Sequence, residues 1–371
     1  MDGSLPQSDV NARVARWLRP DIQALRAYHV PDASGMIKLD AMENPYHWPA
    51  YLRGEWAERL QQLHVNRYPD PQALSLKTRL REAFGIPERH AVMLGNGSDE
   101  LIQLILMALN GADRCVMAPE PSFSMYRMIA RFVGMDYVPT PLRPDDFSLD
   151  MAQTLKAIET HQPAVIFLAY PNNPTGNLFA EQDIIEILQA APGLVVVDEA
   201  YTPFADASFL PRLEAFDHLI VMRTLSKLGL AGLRLGYMVG SHAWMGEFDK
   251  VRLPYNINML TQASAELALM YPDIFQAQTR QICKDRAALK TALSQLKPIR
   301  VYPSAANFIL FRVPPGCANA VFEGLKRDNV LVKNLDGADA MLRDCLRVTV
   351  GRPKENQAFL RSLSRVLTTV A

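Results

Sequence analysis

Ala164-Val-Ile-Phe-Leu-Ala169 runs directly into Tyr170-Pro171-Asn172-Asn173-Pro174-Thr175-Gly176, and Leu194-Val-Val-Val-Asp198 follows after a helical segment, Glu181 to Ala190. Both apolar runs are continuous, without the polar alternation of a strand that faces water on one side. They read as strands buried on both faces. Two such strands separated by a helix make a right-handed βαβ unit of a parallel sheet. The same grammar extends outward. Val92–Gly95, Cys115–Ala118, Leu219–Met222 and Leu235–Val239 read as further strands, and 98–109 and about 122–132 as helices between them. The expected fold class is α/β: a large domain with a mostly parallel central sheet flanked by helices.

Beyond Pro254-Tyr255-Asn256 the theme changes. A long helical segment is expected from about 259 to 296. Strands at Phe308–Phe311, Val330–Val332 and Leu346–Val350, a helix over 318–327 and a C-terminal helix from Lys354 then suggest a smaller α+β domain. The first 45 residues read as an irregular arm. The expected division is therefore an arm over 1–45 that joins the small domain or a partner, a large domain over 46–256, and an interdomain helix with a small domain over 257–371.

The 371 residues carry 39 Lys plus Arg and 39 Asp plus Glu, a formal net charge of zero. That balance argues against a nucleic-acid partner, because phosphate backbones are held by an excess of basic side chains. No apolar run approaches the ~20 residues of a membrane span, and Met1 to Val10 lacks the basic-then-apolar order of a secretory signal. The four cysteines, Cys115, Cys283, Cys317 and Cys345, are widely spaced and read as buried thiols of a reducing compartment. A cytoplasmic enzyme without a metal site is expected.

Four motifs lie at or just after strand ends, where ligands bind in open α/β sheets. Gly95-Asn96-Gly97-Ser98-Asp99 opens a helix whose first amides form an anion site. Asn173 is framed by two prolines that restrict the backbone and can offer its amide to a ligand. Asp198 ends an apolar strand, where an unpaired carboxylate is costly, so it should face a cation, a donor or a protonated ring nitrogen. Thr224-Leu225-Ser226-Lys227, with Arg234 downstream, combines an amine suited to Schiff-base chemistry with hydroxyls and a guanidinium suited to a phosphate.

The order and spacing of the four motifs resemble the pyridoxal-phosphate-dependent aminotransferases of fold type I, over nearly the whole chain. The resemblance implies that Lys227 holds the cofactor and that Asp198 keeps its pyridine nitrogen protonated. It implies that Asn173 and Tyr201 hydrogen-bond the phenolic oxygen, and that Phe123 stacks on the ring. Ser98, Asp99, Thr224, Ser226 and Arg234 match the phosphate cup. Arg234 follows Lys227 by seven residues, one fewer than the common spacing, so a tighter loop is expected, eased by Gly232.

Within these enzymes the chain is most similar to the histidinol-phosphate aminotransferases. Leu39-Asp40-Ala41-Met42-Glu43-Asn44-Pro45-Tyr46 resembles their Asn-Glu-Asn-Pro arm, and Asn66-Arg67-Tyr68-Pro69-Asp70 their Asn-Arg-Tyr-Pro segment. The resemblance implies that Tyr68 crosses to the cofactor phosphate of a neighbouring subunit, and hence a homodimer with shared sites. Arg347 would take the α-carboxylate of glutamate, or the region of a substrate phosphate. Lys333 stands where a familiar pattern has arginine, keeping the charge without the bidentate fork. Tyr28 matches an arm tyrosine that reaches the substrate. The implied substrates are L-glutamate with 2-oxoglutarate, and histidinol phosphate with imidazole-acetol phosphate. Aromatic amino-acid aminotransferases and a threonine-phosphate decarboxylase are built from similar motifs and stand as alternatives. A transcriptional regulator with an aminotransferase-like domain would carry a helix-turn-helix module ahead of the core, where this chain has only the arm.

Overall fold

The computed structural model describes residues 7–25, 27 and 31–370. Its strands, in chain order, are β1 (Ile37–Lys38), β2 (Ala91–Gly95), β3 (Cys115–Glu120), β4 (Asp136–Pro141), β5 (Val165–Ala169), β6 (Leu194–Asp198), β7 (Leu219–Thr224), β8 (Gly236–Gly240), β9 (Arg300–Val301), β10 (Phe308–Arg312), β11 (Val330–Leu331), β12 (Lys333–Asn334) and β13 (Cys345–Thr349). The main sheet has the order β2-β8-β7-β6-β5-β3-β4. Strands β4, β3, β5, β6 and β7 run parallel, and β8 lies antiparallel between β7 and β2.

Side chains alternate across a strand, and here both faces are buried. Ile166, Leu168, Val195 and Val197 join one apolar cluster with Leu80, Ile184 and Ile187. Val165, Phe167, Leu194 and Val196 join the opposite one with Leu101, Ile105 and Tyr126. The alternation therefore sends Asp198 toward the face that carries Tyr126. A third cluster gathers Phe308, Phe311, Val348 and Phe359 of the C-terminal part and also Leu39 of the arm. The C-terminal part forms a four-stranded sheet of order β12-β13-β10-β9, and β1 pairs in parallel with β11 in a separate two-stranded sheet, so the arm is tied to the C-terminal part beside that sheet.

Several expectations need correction. The arm is not irregular throughout: Gln7–Trp17 and Pro20–Gln23 are helical. The helical segment 259–296 is two helices, Met259–Leu269 and Pro272–Gln295. Pro272 lacks the amide needed to continue the first helix but is well suited to start the second. The run 330–332 splits, with β11 pairing β1 and β12 pairing β13. The helix expected from 122 begins at Met125, which leaves Phe123 in the preceding turn. β4 was not foreseen: it is an edge strand with two prolines, Pro139 and Pro141, tolerated there because an edge leaves half its amides unpaired. Of the four cysteines, only Cys115 and Cys345 are buried; Cys283 and Cys317 are half-exposed. No helix among the described residues is long and apolar enough to cross a membrane.

Candidate active site

Three of the four motifs sit at carboxyl ends of parallel strands: the turn after β5, the end of β6 and the turn after β7. The fourth follows β2. They converge on a cavity of about 370 Å³ whose wall includes Ser98, Asp99, Phe123, Asn173, Asp198, Tyr201, Thr224, Ser226, Lys227 and Arg234. Ala41, Met42 and Glu43 of the arm close one side.

The Asp198 carboxylate is buried at the end of β6. Its Oδ2 accepts from the Tyr126 hydroxyl at 2.7 Å and its Oδ1 from the Ala200 amide at 3.1 Å. Burial pushes its pKa up to about 6, and these two hydrogen bonds hold it from rising further. Tyr126 is the residue that sequence reasoning missed. It lies three positions after Phe123, edge-on to that ring at 5.5 Å, and stacks on Phe167 at 4.8 Å. The period-2 pattern of β6 shows which face Asp198 takes, but only the folded chain brings the helix Met125–Val133 to that face.

Lys227 stands in a short 3-10 turn after β7. Its Nζ lies 3.4 Å from the Ala41 carbonyl and 5.8 Å from the centre of the Tyr201 ring. Burial lowers its pKa to about 8; the positive charge of Arg347 pushes the same way, and Glu43 opposes it. An amine with that proton affinity keeps a far larger neutral fraction near physiological pH than a free lysine does, and the neutral form is the nucleophile. Tyr201 is buried edge-on to Phe308, and burial raises its hydroxyl pKa.

The phosphate-binding candidates form one cluster. Thr224 donates to Ser226 Oγ at 2.9 Å, and Arg234 reaches Ser226 Oγ and Asp99 at 3.5 Å each. Ser98 and Asp99 lie in the first turn of the helix Gly97–Leu109, where amide N–H groups are free of intrahelical acceptors. The Asp99 Oδ1 is buried with no hydrogen-bond partner among the described residues, and burial raises the carboxyl pKa. Space is tight. A Cβ on Gly97, whose φ is +80°, would stand 2.7 Å from an Arg234 nitrogen, and one on Gly236 would meet the Gly97 carbonyl carbon at 2.6 Å. The short Lys227-to-Arg234 spacing is met by a 3-10 turn at Ala231–Leu233 and a left-handed Arg234, φ +50°.

Arg347 comes from β13 and bridges to the large sheet: one nitrogen donates to Asn173 Oδ1 and another, at 2.9 Å, to the Asp40 carbonyl. Lys333 is its register partner on β12 and does not line the cavity. Tyr68 is also outside the cavity, 78% exposed and stacked on Tyr255 at 4.5 Å. Tyr28 lies outside the described residues.

A buried carboxylate at one end, a low-pKa amine beside it and a cation-and-amide cradle at the other fit pyridoxal phosphate, whose ring nitrogen, aldehyde and phosphate need those three partners. Comparison with known proteins agrees. The family profile described as aminotransferase class I and II matches residues 34–363. The chain belongs to that family and is a pyridoxal-phosphate-dependent transaminase. It is 59% identical over 351 residues to histidinol-phosphate aminotransferase 2 of Nitrosococcus oceani, covering 95% of this chain and 97% of that one. It is 50% identical to histidinol-phosphate aminotransferase 1 of Ralstonia nicotianae, with 99% of each chain covered. Among solved structures, histidinol-phosphate aminotransferase from Sinorhizobium meliloti in complex with pyridoxal-5'-phosphate superposes with a TM-score of 0.86 at 24% identity, over 96% of this chain and 98% of that one.

Proposed function

We propose that this transaminase moves an amino group between L-glutamate and imidazole-acetol phosphate, yielding 2-oxoglutarate and L-histidinol phosphate, in the cytoplasm. The observation that carries the reading is its similarity to histidinol-phosphate aminotransferases along nearly the full length of both chains. When bound, the cofactor supplies an electron sink for the carbanion formed at the substrate Cα. The rest falls to the chain. Asp198, braced by Tyr126, would hold the ring nitrogen's proton. Asn173 and Tyr201 would hydrogen-bond the phenolic oxygen, and Phe123 would pack on the ring. Ser98, Asp99, Thr224, Ser226 and Arg234 would anchor the phosphate and so fix orientation. Lys227, as a neutral amine, would be the base that takes the proton from the substrate Cα and the acid that returns it. Arg347 offers a planar fork to a carboxylate or phosphate, and Lys333 adds charge behind it.

The working unit of this reading is a homodimer. Tyr68 is exposed together with Val65, Leu74 and Leu253, an apolar group that a second copy would cover, bringing Tyr68 to the neighbour's phosphate cup. The pairing of the arm strand β1 with β11 supports an arm and small domain (1–45 and 257–371) flanking a large domain over 46–256.

The test is spectroscopic. Holoenzyme is mixed in turn with histidinol phosphate, phenylalanine, tyrosine and threonine phosphate, and loss of the absorbance of the lysine-bound cofactor is followed. Histidinol phosphate should discharge it at the lowest concentration. Ready discharge by phenylalanine but not by histidinol phosphate would overturn the substrate while leaving the family intact; carbon dioxide release from threonine phosphate would point to a decarboxylase.

A further inference from the structure

A second cavity, of about 310 Å³, lies behind the segment that carries Lys227. Its wall is made by Ala83 and Phe84 at the end of one large-domain helix, by Leu225 and Leu228 on either side of Ser226 and Lys227, and by the first turns of the interdomain helix Pro272–Gln295. Cavities of this size between a domain and a bridging element are the usual setting of small-ligand sites.

Its polar groups are unevenly satisfied. Glu199 is saturated: it accepts from Arg223 Nε at 2.9 Å, from Ser208 at 3.0 Å and from the Phe209 amide at 2.5 Å. The Tyr237 side chain is 1% exposed and its hydroxyl faces the Arg223 guanidinium, a donor, so that among the described residues no acceptor is found for the hydroxyl's own proton. A buried donor left without an acceptor is costly, and this one belongs to a residue of the cavity wall. At the exposed rim stands Arg280, for which no hydrogen bond or ion pair is found among the described residues. With Glu199 offsetting Arg223, the cavity is left with one net positive charge, one hydroxyl proton without an acceptor and an apolar floor.

We propose that this cavity is a binding site for a small carboxylate with an apolar body, separate from the site of transamination. The body packs on Phe84, Leu225 and Leu228, the Tyr237 hydroxyl donates inward, and Arg280 closes over the anionic end. Thr224 belongs to the walls of both cavities and donates to Ser226, so an occupant here bears on the strand end that presents Lys227.

The probe is 3-phenylpropionate, titrated into holoenzyme by calorimetry, with 3-phenylpropanol as the uncharged analogue. Because Arg347 can also attract carboxylates, Arg347→Ala is run alongside. Binding should persist in Arg347→Ala, weaken about tenfold in Arg280→Ala and disappear in Ala83→Phe, which fills the space. Tyr237→Phe, which keeps the ring and its packing, should weaken it with the fold intact by circular dichroism. Turnover of Arg280→Ala without probe should equal that of the parent. Binding lost in Arg347→Ala but kept in Ala83→Phe would assign the probe to the catalytic cavity and overturn the proposal. So would equal affinity for the alcohol, or no binding at millimolar probe.

Discussion

Lys227 and Asp198 are both taken far from their ordinary proton affinities by burial, in directions that can be tested. Lys227 has a pKa of about 8 against 10.5 for a free lysine, so its neutral fraction grows through pH 8. The rate at which apoenzyme captures the cofactor, followed by absorbance after rapid mixing, should therefore rise with pH to a plateau, with a midpoint near 8. A midpoint near 10.5 would mean that the amine is solvated rather than buried. Asp198 works the other way. Its native pKa is near 6 and its ordinary value 3.8, so the apoprotein binds the extra proton and loses stability as pH rises from about 4 to about 6. At pH 7 to 8 the carboxylate is a liability that a protonated ring nitrogen of the cofactor, held as proposed above, would offset. Asp198→Asn should thus stabilise the apoprotein, by at most about 3 kcal/mol, while weakening cofactor retention and turnover severely. Thermal melts of apo and holo forms would separate these effects, and an apoprotein melting lower than the parent would contradict the account.

Elements set how much of this was readable beforehand. The apolar runs of β5, β6 and β7 announced themselves because their residues are buried on both faces, and the chemistry-bearing side chains follow directly from where the runs stop. Asn173, Asp198 and Lys227 were legible for that reason. Tyr126 was not, because nothing in a single helix shows which strand end it will face. The break at Pro272 was visible as a residue, yet the apolar periodicity continued across it. The edge strand β4 lacked the apolar run of its neighbours. Close approaches were likewise hidden. Gly97 and Gly236 are two glycines among 19, and only the folded chain shows what a side chain would meet. The two should differ on substitution. Gly97→Ala pushes against the flexible end of Arg234, so its larger effect should be on cofactor retention, with about 1–2 kcal/mol of backbone strain from the left-handed φ. Gly236→Ala pushes against backbone that has nowhere to move and should cost more in stability, about 2–4 kcal/mol. Chemical denaturation together with cofactor titration would rank them; equal losses in both assays would refute the distinction.

The whole molecule raises a question that one chain leaves half answered, since Tyr68 points away from its own cavity. If it serves a neighbour, Tyr68→Phe should weaken cofactor retention, and mixed dimers with Lys227→Ala should regain activity, because one of the two sites then receives both intact residues. Co-expression with distinguishable tags, followed by assay of the purified hybrid, would show it. Parental cofactor retention in Tyr68→Phe, with no such complementation in the hybrid, would count against a shared site. The neutral overall charge fits this scale too: it disfavours a long polyanion partner, while Arg234, Lys333 and Arg347 still concentrate positive charge within one region of the fold.

The contact of Arg347 with Asn173 and with the Asp40 carbonyl has a consequence for how substrate arrives. If Arg347 receives the incoming anion as proposed, its guanidinium is already engaged, tying the C-terminal sheet and the arm to the turn after β5. Recognition is then an exchange of partners: the carboxylate or phosphate must displace internal contacts before it is held. The affinity observed is the difference between the two sets of bonds. On that reading each substrate would loosen, and each departing product restore, a clasp that joins β13 and the arm to the turn after β5, so admission of substrate and any movement between these parts would draw on the same few hydrogen bonds.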